Sequence, residues 1–171
     1  SRLIDTASLP IPKFVEFSVL EFLRPLTGKE KDSIEALELG EKILARILLV
    51  LVRKQQAKKD WESHLEFSSC WGKVAAIKSN VATRILVSNL GGKKFGLFLI
   101  YRPENKSVEF FSLKKDINLT PLHLEVTKVD PRAAWYLHQS KRMLLCAAKI
   151  SPNGNPTSLS LEKLIEVVKS V

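Results

Sequence analysis

The chain has 171 residues, which is long enough to bury a sizeable hydrophobic core in one domain. Its 45% hydrophobic and 26% charged residues are typical of a globular protein and exclude global disorder. Its formal net charge of +9 favours an anionic partner, and no small-molecule substrate is expected. We therefore predict a single domain over residues 1–171 that binds something negatively charged.

The first helical zone is expected over residues 15–58, after a proline-containing irregular arm over residues 1–14. Within this zone, apolar spacing predicts a short buried helix that ends at Pro25. The longest apolar run, residues 43–52, is far shorter than the about 20 residues of a membrane span. We therefore expect no membrane crossing, and the first residues also lack the basic and apolar regions of a signal peptide, as they would if such a segment had been removed.

A long second helix is predicted from about residue 28 to residue 58, with Thr27 and Glu30 as a capping box at its start. Basic residues in its last turns are explained by the helix dipole. Apolar residues outside the main stripe predict that this helix also assembles the chain into a homo- or hetero-oligomer. The main stripe, expected to face the core, contains Ile34, Leu37, Leu44, Ile47, Leu48 and Leu51, and the surplus residues are Ile43, Leu49, Val50 and Val52.

The middle of the chain changes to short β-branched and aromatic stretches between turn formers, which predicts a sheet over residues 65–129. Four strands are expected, and residues 122–129 are a candidate fifth. The four are residues 65–78, 81–90, 94–101 and 107–114.

Two turns set the expected strand pairing. Gly91 and Gly92 suit a two-residue hairpin, and residues 103–106 form a four-residue bend. The strand over residues 94–101 is then apolar on both faces, so it should be central and covered on both sides. The expected pairs are Leu86 with Leu97, Ile85 with Phe98, Leu99 with Phe110 and Phe98 with Phe111.

The second helical zone is expected over residues 130–171. Asp130 and Pro131 suit a helix start, and this helix should run to about Ile150. After a loop over residues 151–156, Ser158 or Ser160 should cap a last helix whose inward residues are Leu161, Leu164, Ile165 and Val168. The predicted fold is therefore α+β: an antiparallel meander of four to five strands with helices before and after it, covering both faces.

Positive charge is concentrated where acidic residues are missing. No Asp or Glu occurs between Glu66 and Glu104, or between Pro131 and Leu161. Because the strand bodies are apolar, cations at their ends should face outward and contact phosphates of RNA or DNA with little sequence specificity, while aromatic residues stack on bases. The predicted phosphate contacts are Lys73, Lys78, Arg84, Lys93, Lys94, Arg102, Lys106, Lys114, Lys115, Arg132, Lys141 and Arg142, and the candidate stacking residues are Trp61, Trp71 and Tyr101.

Other functions remain open at this stage. The chain could instead be a scaffold subunit that assembles through its helices. A basic face could also bind an anionic membrane surface, as matrix-like proteins do. Each single lysine at a strand end also has a simpler explanation, because lysines at such positions commonly keep the edge of a sheet soluble.

No enzymatic function, metal site or cofactor is predicted. The pair Cys70-Trp71 resembles the nucleophile motif of papain-like cysteine proteases, with His123 or His138 as the base that the resemblance implies. That nucleophile opens a helix, whereas Cys70 lies inside a predicted strand, so we interpret Cys70 as a buried structural cysteine. With Cys146 as the second cysteine, no disulfide framework is indicated, which favours the reducing cytoplasm or nucleus.

Overall fold

The computed structural model describes residues 30–147 and 154–171. The chain divides into two compact units, residues 1–51 and residues 52–171. The described residues of the first unit are helical throughout, and the second unit contains the sheet. The predicted irregular arm, the helix that ends at Pro25 and the Thr27 capping box lie outside the described residues.

Four helices and six strands are present in the described ranges. They run in the order helix, hairpin, helix, two strands, helix, two strands, helix. The helices are α1 (Glu30–Glu62), α2 (Arg84–Gly91), α3 (Thr120–Val129) and α4 (Leu161–Ser170), and a 3₁₀ turn (Gly92–Lys94) follows α2. The strands are β1 (Leu65–Ser69), β2 (Gly72–Lys78), β3 (Leu97–Arg102), β4 (Ser107–Phe111), β5 (Trp135–Leu137) and β6 (Met143–Cys146).

The six strands form one sheet in the order β1-β2-β3-β4-β6-β5. All neighbouring pairs are antiparallel except β2 and β3, which are parallel because α2 carries the chain back across one face between them. The α+β class and the mostly antiparallel sheet flanked by helices are confirmed. The sheet has one or two strands more than expected, and the β2–β3 crossover interrupts the meander.

The central position of the third predicted strand is confirmed. In β3, the four residues Leu97 to Ile100 are fully buried, and β3 pairs with β2 on one side and β4 on the other. The predicted pairs Leu99–Phe110 and Phe98–Phe111 are both present. Burial on both faces explains why this segment is a continuous apolar run rather than an alternating one.

Each face of the sheet has its own hydrophobic core. On the front face, Ile77 and Phe98 pack against Ala57 of α1 and Val87 of α2. On the back face, the strands pack against α3 and α4, which contribute Leu122, Val126, Leu161, Leu164 and Val168 among others. Because α3 and α4 cover the back while α2 and the end of α1 around Ala57 cover the front, the second unit buries apolar residues on both sides of the strands.

The segment 81–90, predicted as a strand, is a helix. The Thr83 hydroxyl accepts a hydrogen bond from the Leu86 amide and caps α2, and Gly92 ends it with a φ of 59°. The predicted hairpin at Gly91-Gly92, with its pairs Leu86–Leu97 and Ile85–Phe98, is therefore wrong. The β-branched run suggested a strand, but burial of Val87 with exposure of Ile85 fits a helix lying on the sheet.

Two further predicted elements differ from the structure. The first predicted strand, 65–78, is the β1–β2 hairpin. The candidate fifth strand, 122–129, belongs to α3, where Leu122 and Val126 are buried four residues apart while Leu124 is 65% exposed. Alternating apolar residues suggested a strand there, but burial follows the helical repeat.

The helix predicted over residues 130–150 is also wrong, because the β5–β6 hairpin lies within that segment. Asp130 does not begin a helix but ends α3, and its buried carboxylate accepts hydrogen bonds from the Thr157 hydroxyl at 2.6 Å and from the Ser158 amide at 2.9 Å. These bonds tie the segment before α4 to the end of α3. Helix α4 itself is confirmed, with Ser160 as its N-cap.

The long predicted helix is confirmed as α1, but its main apolar stripe is not buried. Within the first unit, all six residues of that stripe are exposed by 41 to 66%. In the second unit, Ala57 and Trp61 near the end of α1 pack on the front face of the sheet. The prediction that the stripe faces the core therefore does not hold for the described part of the first unit.

Candidate functional site

Three loops meet at one end of the sheet. Strand β3 begins there, β4 ends there and β6 begins there, as the pairs Phe98–Phe111 and Phe111–Met143 show. The loops are residues 92–96, 112–119 and 138–142, and we refer to them together as the basic end. All three are in the second unit.

Hydrogen bonds hold the loops of the basic end together. The Ser112 amide donates to the Arg142 carbonyl at 3.0 Å, and the Leu119 amide donates to the Lys141 carbonyl at 2.8 Å. The buried Ser112 hydroxyl donates to the Gly96 carbonyl at 2.6 Å. Residues far apart in sequence are thus fixed as neighbours.

Gly96 lets the residue before β3 lie close to the backbone of the β1–β2 hairpin. Its amide donates to the Lys73 carbonyl at 2.7 Å, and a Cβ at this position would overlap the carbonyl oxygen of Trp71. A side chain at residue 96 would force β3 away from the β1–β2 hairpin. The absence of a side chain therefore sets the spacing between the 92–96 loop and its neighbours.

Five predicted phosphate contacts at the basic end are available to a ligand. Their side chains make no ion pair within 4.0 Å to a carboxylate in the described ranges. The three loops contain one acidic residue, Asp116, so positive charge dominates. The five are Lys93, Lys114, Lys115 and Lys141, which are exposed, and Arg142, which is half-buried.

Two other predicted contacts at this end are ion-paired with the single carboxylate of Glu66. Its carboxylate lies 2.5 Å from Lys73 Nζ and 2.6 Å from Lys94 Nζ. Hydrogen bonds from these ammonium groups, and one from His64, lower the pKa of Glu66 to about 2. Lys94 Nζ also lies 5.0 Å from the centre of the Phe95 ring. Both lysines therefore have a structural role beside β1.

A second carboxylate, Glu109 of β4, forms ion pairs with two predicted arginine contacts. Arg102 Nη1 lies 3.0 Å from Glu109 Oε1, and Arg84 Nε lies 3.5 Å from Glu109 Oε2. Arg102 also donates to the Ala82 carbonyl at 3.1 Å. Acidic partners for cations of this acid-free interval thus come from Glu66, which borders it on β1, and from Glu109, which lies beyond it on β4.

The remaining predicted contacts lie at the opposite end of the sheet. Lys78 ends β2, Lys106 lies in the β3–β4 turn, and Arg132 follows α3. Residues 155–157 link the last two, because the Thr157 amide donates to the Lys106 carbonyl and the Asn155 side chain donates to the Arg132 carbonyl. The predicted residues are therefore not on one surface: they divide between two ends of the sheet and the Glu109 ion pairs.

The candidate stacking residues are engaged within the protein. Trp71 is buried, and its Nε1 donates to the Asn118 carbonyl at 3.1 Å, so the stacking prediction does not fit this residue. One face of Trp61 is covered by His64, with 4.2 Å between the ring centres. Tyr101 is half-buried against the back-face core.

Tyr136 is the aromatic residue that the sequence analysis missed. It is 44% exposed, and no other aromatic residue in the described ranges reaches the same exposed class. It lies on β5 between Trp135 and Leu137, which point to the opposite, core-facing side. In a strand, successive side chains point to opposite faces, so burial of Trp135 and Leu137 would predict exposure of Tyr136. This prediction requires that the segment is first recognised as a strand.

The cysteines are not arranged as a catalytic pair. Cys70 is exposed in the turn between β1 and β2, not buried as predicted, and Cys146 is buried in β6. Burial, followed by the charge of Asp130, raises the pKa of Cys146 to about 12 and keeps it a thiol. Among the described residues, no group of three or more His, Cys, Asp or Glu side chains could hold a metal ion.

Comparison with known proteins adds no relative. No protein-family model matches the sequence, and no curated protein matches it significantly. None of the helices in residues 30–147 and 154–171 is long and apolar enough to cross a membrane.

Proposed function

We propose that this chain is a non-enzymatic module that binds the phosphate backbone of RNA or DNA through the basic end. The observation that carries the proposal is that three sequence-distant loops, joined by hydrogen bonds, contain one acidic residue and five cations that make no ion pair with a carboxylate in the described ranges. Such a surface attracts a polyanion and releases its counterions on contact.

The geometry supports recognition of backbone rather than of sequence. Four of the five cations are lysines, which act as mobile point charges, whereas bidentate recognition of a base edge is typical of arginine. The cations paired with Glu66 and Glu109 are given a smaller part in the proposed interface, because each already shares a carboxylate with another cation of the protein. We therefore expect binding that depends strongly on salt and weakly on sequence.

The proposal includes two further parts. The chain binds without catalysing a reaction, and it is located in a reducing compartment, either the cytoplasm or the nucleus. The exposed Cys70 and the buried Cys146 are both free thiols, which fits a reducing environment. The cationic side chains at the basic end are suited to holding phosphate groups, and this is the basis for proposing a binding role rather than an enzymatic one.

A binding titration tests the proposed function. Fluorescence anisotropy with a labelled oligouridine of about 12 nucleotides should show binding that weakens steeply as salt rises. No binding at about 50 mM salt would contradict the proposal. Binding to vesicles containing phosphatidylserine, without binding to the oligonucleotide, would instead support the membrane-surface alternative.

Assembly through α1 is a second candidate function. It is favoured by exposed apolar residues in the first unit, including Leu44 and Leu48, each 63% exposed. If α1 mediates assembly, sedimentation should show a dimer or larger species, and Leu48→Glu should reduce its size because charge in an apolar interface is costly. Leu124→Glu, at an exposed position of α3, is the matched control. A monomeric wild type would exclude self-assembly through α1.

A further inference from the structure

The front face of the sheet continues beyond the helices that cover its centre. Tyr136 pairs with Leu145, which pairs with Glu109, which in turn pairs with Ile100. Since directly paired residues point to the same side of a sheet, these four side chains form one row across the front face. The row ends at Tyr136 on the edge strand β5.

The residues of β6 that neighbour Tyr136 are more buried than Tyr136 itself. Leu145 is only 3% exposed, so the row beside the tyrosine is packed, whereas Tyr136 itself is 44% exposed. Met143 lies diagonally across the strand pair and is half-buried. Tyr136 therefore has a buried and a half-buried apolar residue as neighbours on β6, while part of its own surface is in water.

Strand β5 leads directly into the basic end. Leu137 ends the strand and the 138–142 loop follows, so Tyr136 is about 10 Å or less along the chain from the first residues of that loop. The adjoining 112–119 loop contributes Lys114 and Lys115. An exposed aromatic ring next to a track of cations is the arrangement that holds unpaired bases and their phosphates together.

We propose that Tyr136 is a stacking platform and that the nucleic acid bound by this chain is single-stranded. This inference rests on the proposed function and specifies its substrate class. In a duplex the faces of internal bases are covered by their neighbours, so the ring could not be used there, whereas a single strand can place a base on Tyr136 and its phosphates on the basic end.

Three variants test the role of the ring. Tyr136→Ala should weaken binding of the oligouridine by about fivefold to about a hundredfold, because stacking on an aromatic side chain accounts for that range. Tyr136→Phe keeps the ring and should retain the affinity. Leu124→Ala, which removes an exposed apolar side chain from α3 on the other side of the sheet, should also bind as the wild type does. Thermal unfolding by circular dichroism establishes that each variant is folded.

A duplex ligand separates this inference from the proposed function. Binding of an RNA duplex of about 12 base pairs should be weaker than binding of the oligouridine and unchanged by Tyr136→Ala. Equal affinity of wild type and Tyr136→Ala for the oligouridine, or an equal loss for both ligands, would overturn the stacking role while leaving backbone binding intact. A wild type that binds neither ligand would overturn the proposed function as well.

Discussion

Removing Lys114 and Lys115 should reduce the salt dependence of binding by a calculable amount. Both side chains are exposed in the 112–119 loop and make no ion pair with a carboxylate in the described ranges. The double substitution Lys114→Ala/Lys115→Ala should therefore change the free energy of unfolding by less than about 0.5 kcal/mol for each position. Any large change in binding would then come from lost phosphate contacts.

The magnitude follows from the number of cations at the basic end. Each phosphate contact on a single strand contributes about 0.7 to the slope of log affinity against log salt, so five contacts give about 3.5 and three give about 2.1. Between about 50 and about 200 mM salt, affinity should fall about 130-fold for the wild type and about 20-fold for the double variant. Anisotropy titrations at several salt concentrations measure both slopes.

A matched pair of lysines provides the control. Lys58 and Lys59 are exposed near the end of α1, where the helix dipole already accounts for positive charge. Lys58→Ala/Lys59→Ala should leave the slope close to that of the wild type. An equal reduction for both pairs would mean that net charge alone drives binding, and an unchanged slope for the 112–119 loop variant would refute its place in the interface.

Three further predictions concern the framework of the site. Gly96→Ala should destabilise the protein by about 3 kcal/mol in urea unfolding, because the added methyl group overlaps the Trp71 carbonyl oxygen; a variant as stable as the wild type would contradict the close approach. Glu66 has a pKa lowered to about 2, so its stabilising contribution should be present above pH 4.5 and lost as pH falls towards 2; Glu66→Gln should reduce the loss of stability over this interval, and an identical pH profile would contradict the Glu66 ion pairs. A thiol reagent followed by mass spectrometry should label Cys70 in the native protein and Cys146 only after unfolding, and early labelling of Cys146 would contradict its burial.

Strong periodic patterns identified several elements before the structure was considered. A long amphipathic stretch predicted α1, and Ser160 before spaced apolar residues predicted α4. The turn at residues 103–106 set the β3–β4 register correctly, because the number of residues in a hairpin loop fixes which residues pair. Sequence patterns were therefore sufficient to predict an element or a strand register where the residues that contact each other are close in sequence.

Errors arose where the deciding contacts are distant in sequence. The apolar spacing of α3 is compatible with both a strand and a helix, and burial of Leu122 and Val126 against the back-face core decides for the helix. Asp130 has the residue type of a helix N-cap, but its partners are Thr157 and Ser158, which no local pattern indicates. The β5–β6 hairpin, and with it the exposure of Tyr136, was missed for the same reason.

The charge map was predicted in part. Scarcity of acidic residues drew attention to the loops at residues 92–96 and 138–142, whereas the 112–119 loop, which contains Asp116, lies outside both acid-free intervals. It did not reveal that Glu66 and Glu109 reach cations on neighbouring strands, since an interval without acids in the sequence says nothing about acids across a sheet. The cations that remain available to a ligand are those that do not lie next to an acidic residue across the sheet.

Amide chemical-shift mapping by NMR tests most directly whether the ligand binds at the basic end. Titration of the isotope-labelled chain with the oligouridine should shift amide signals of residues 92–96, 112–119 and 138–142, together with that of Tyr136. Signals of Lys78, Lys106 and Arg132 at the opposite end should change little. Shifts concentrated at that opposite end, or no shifts at low salt, would contradict the account.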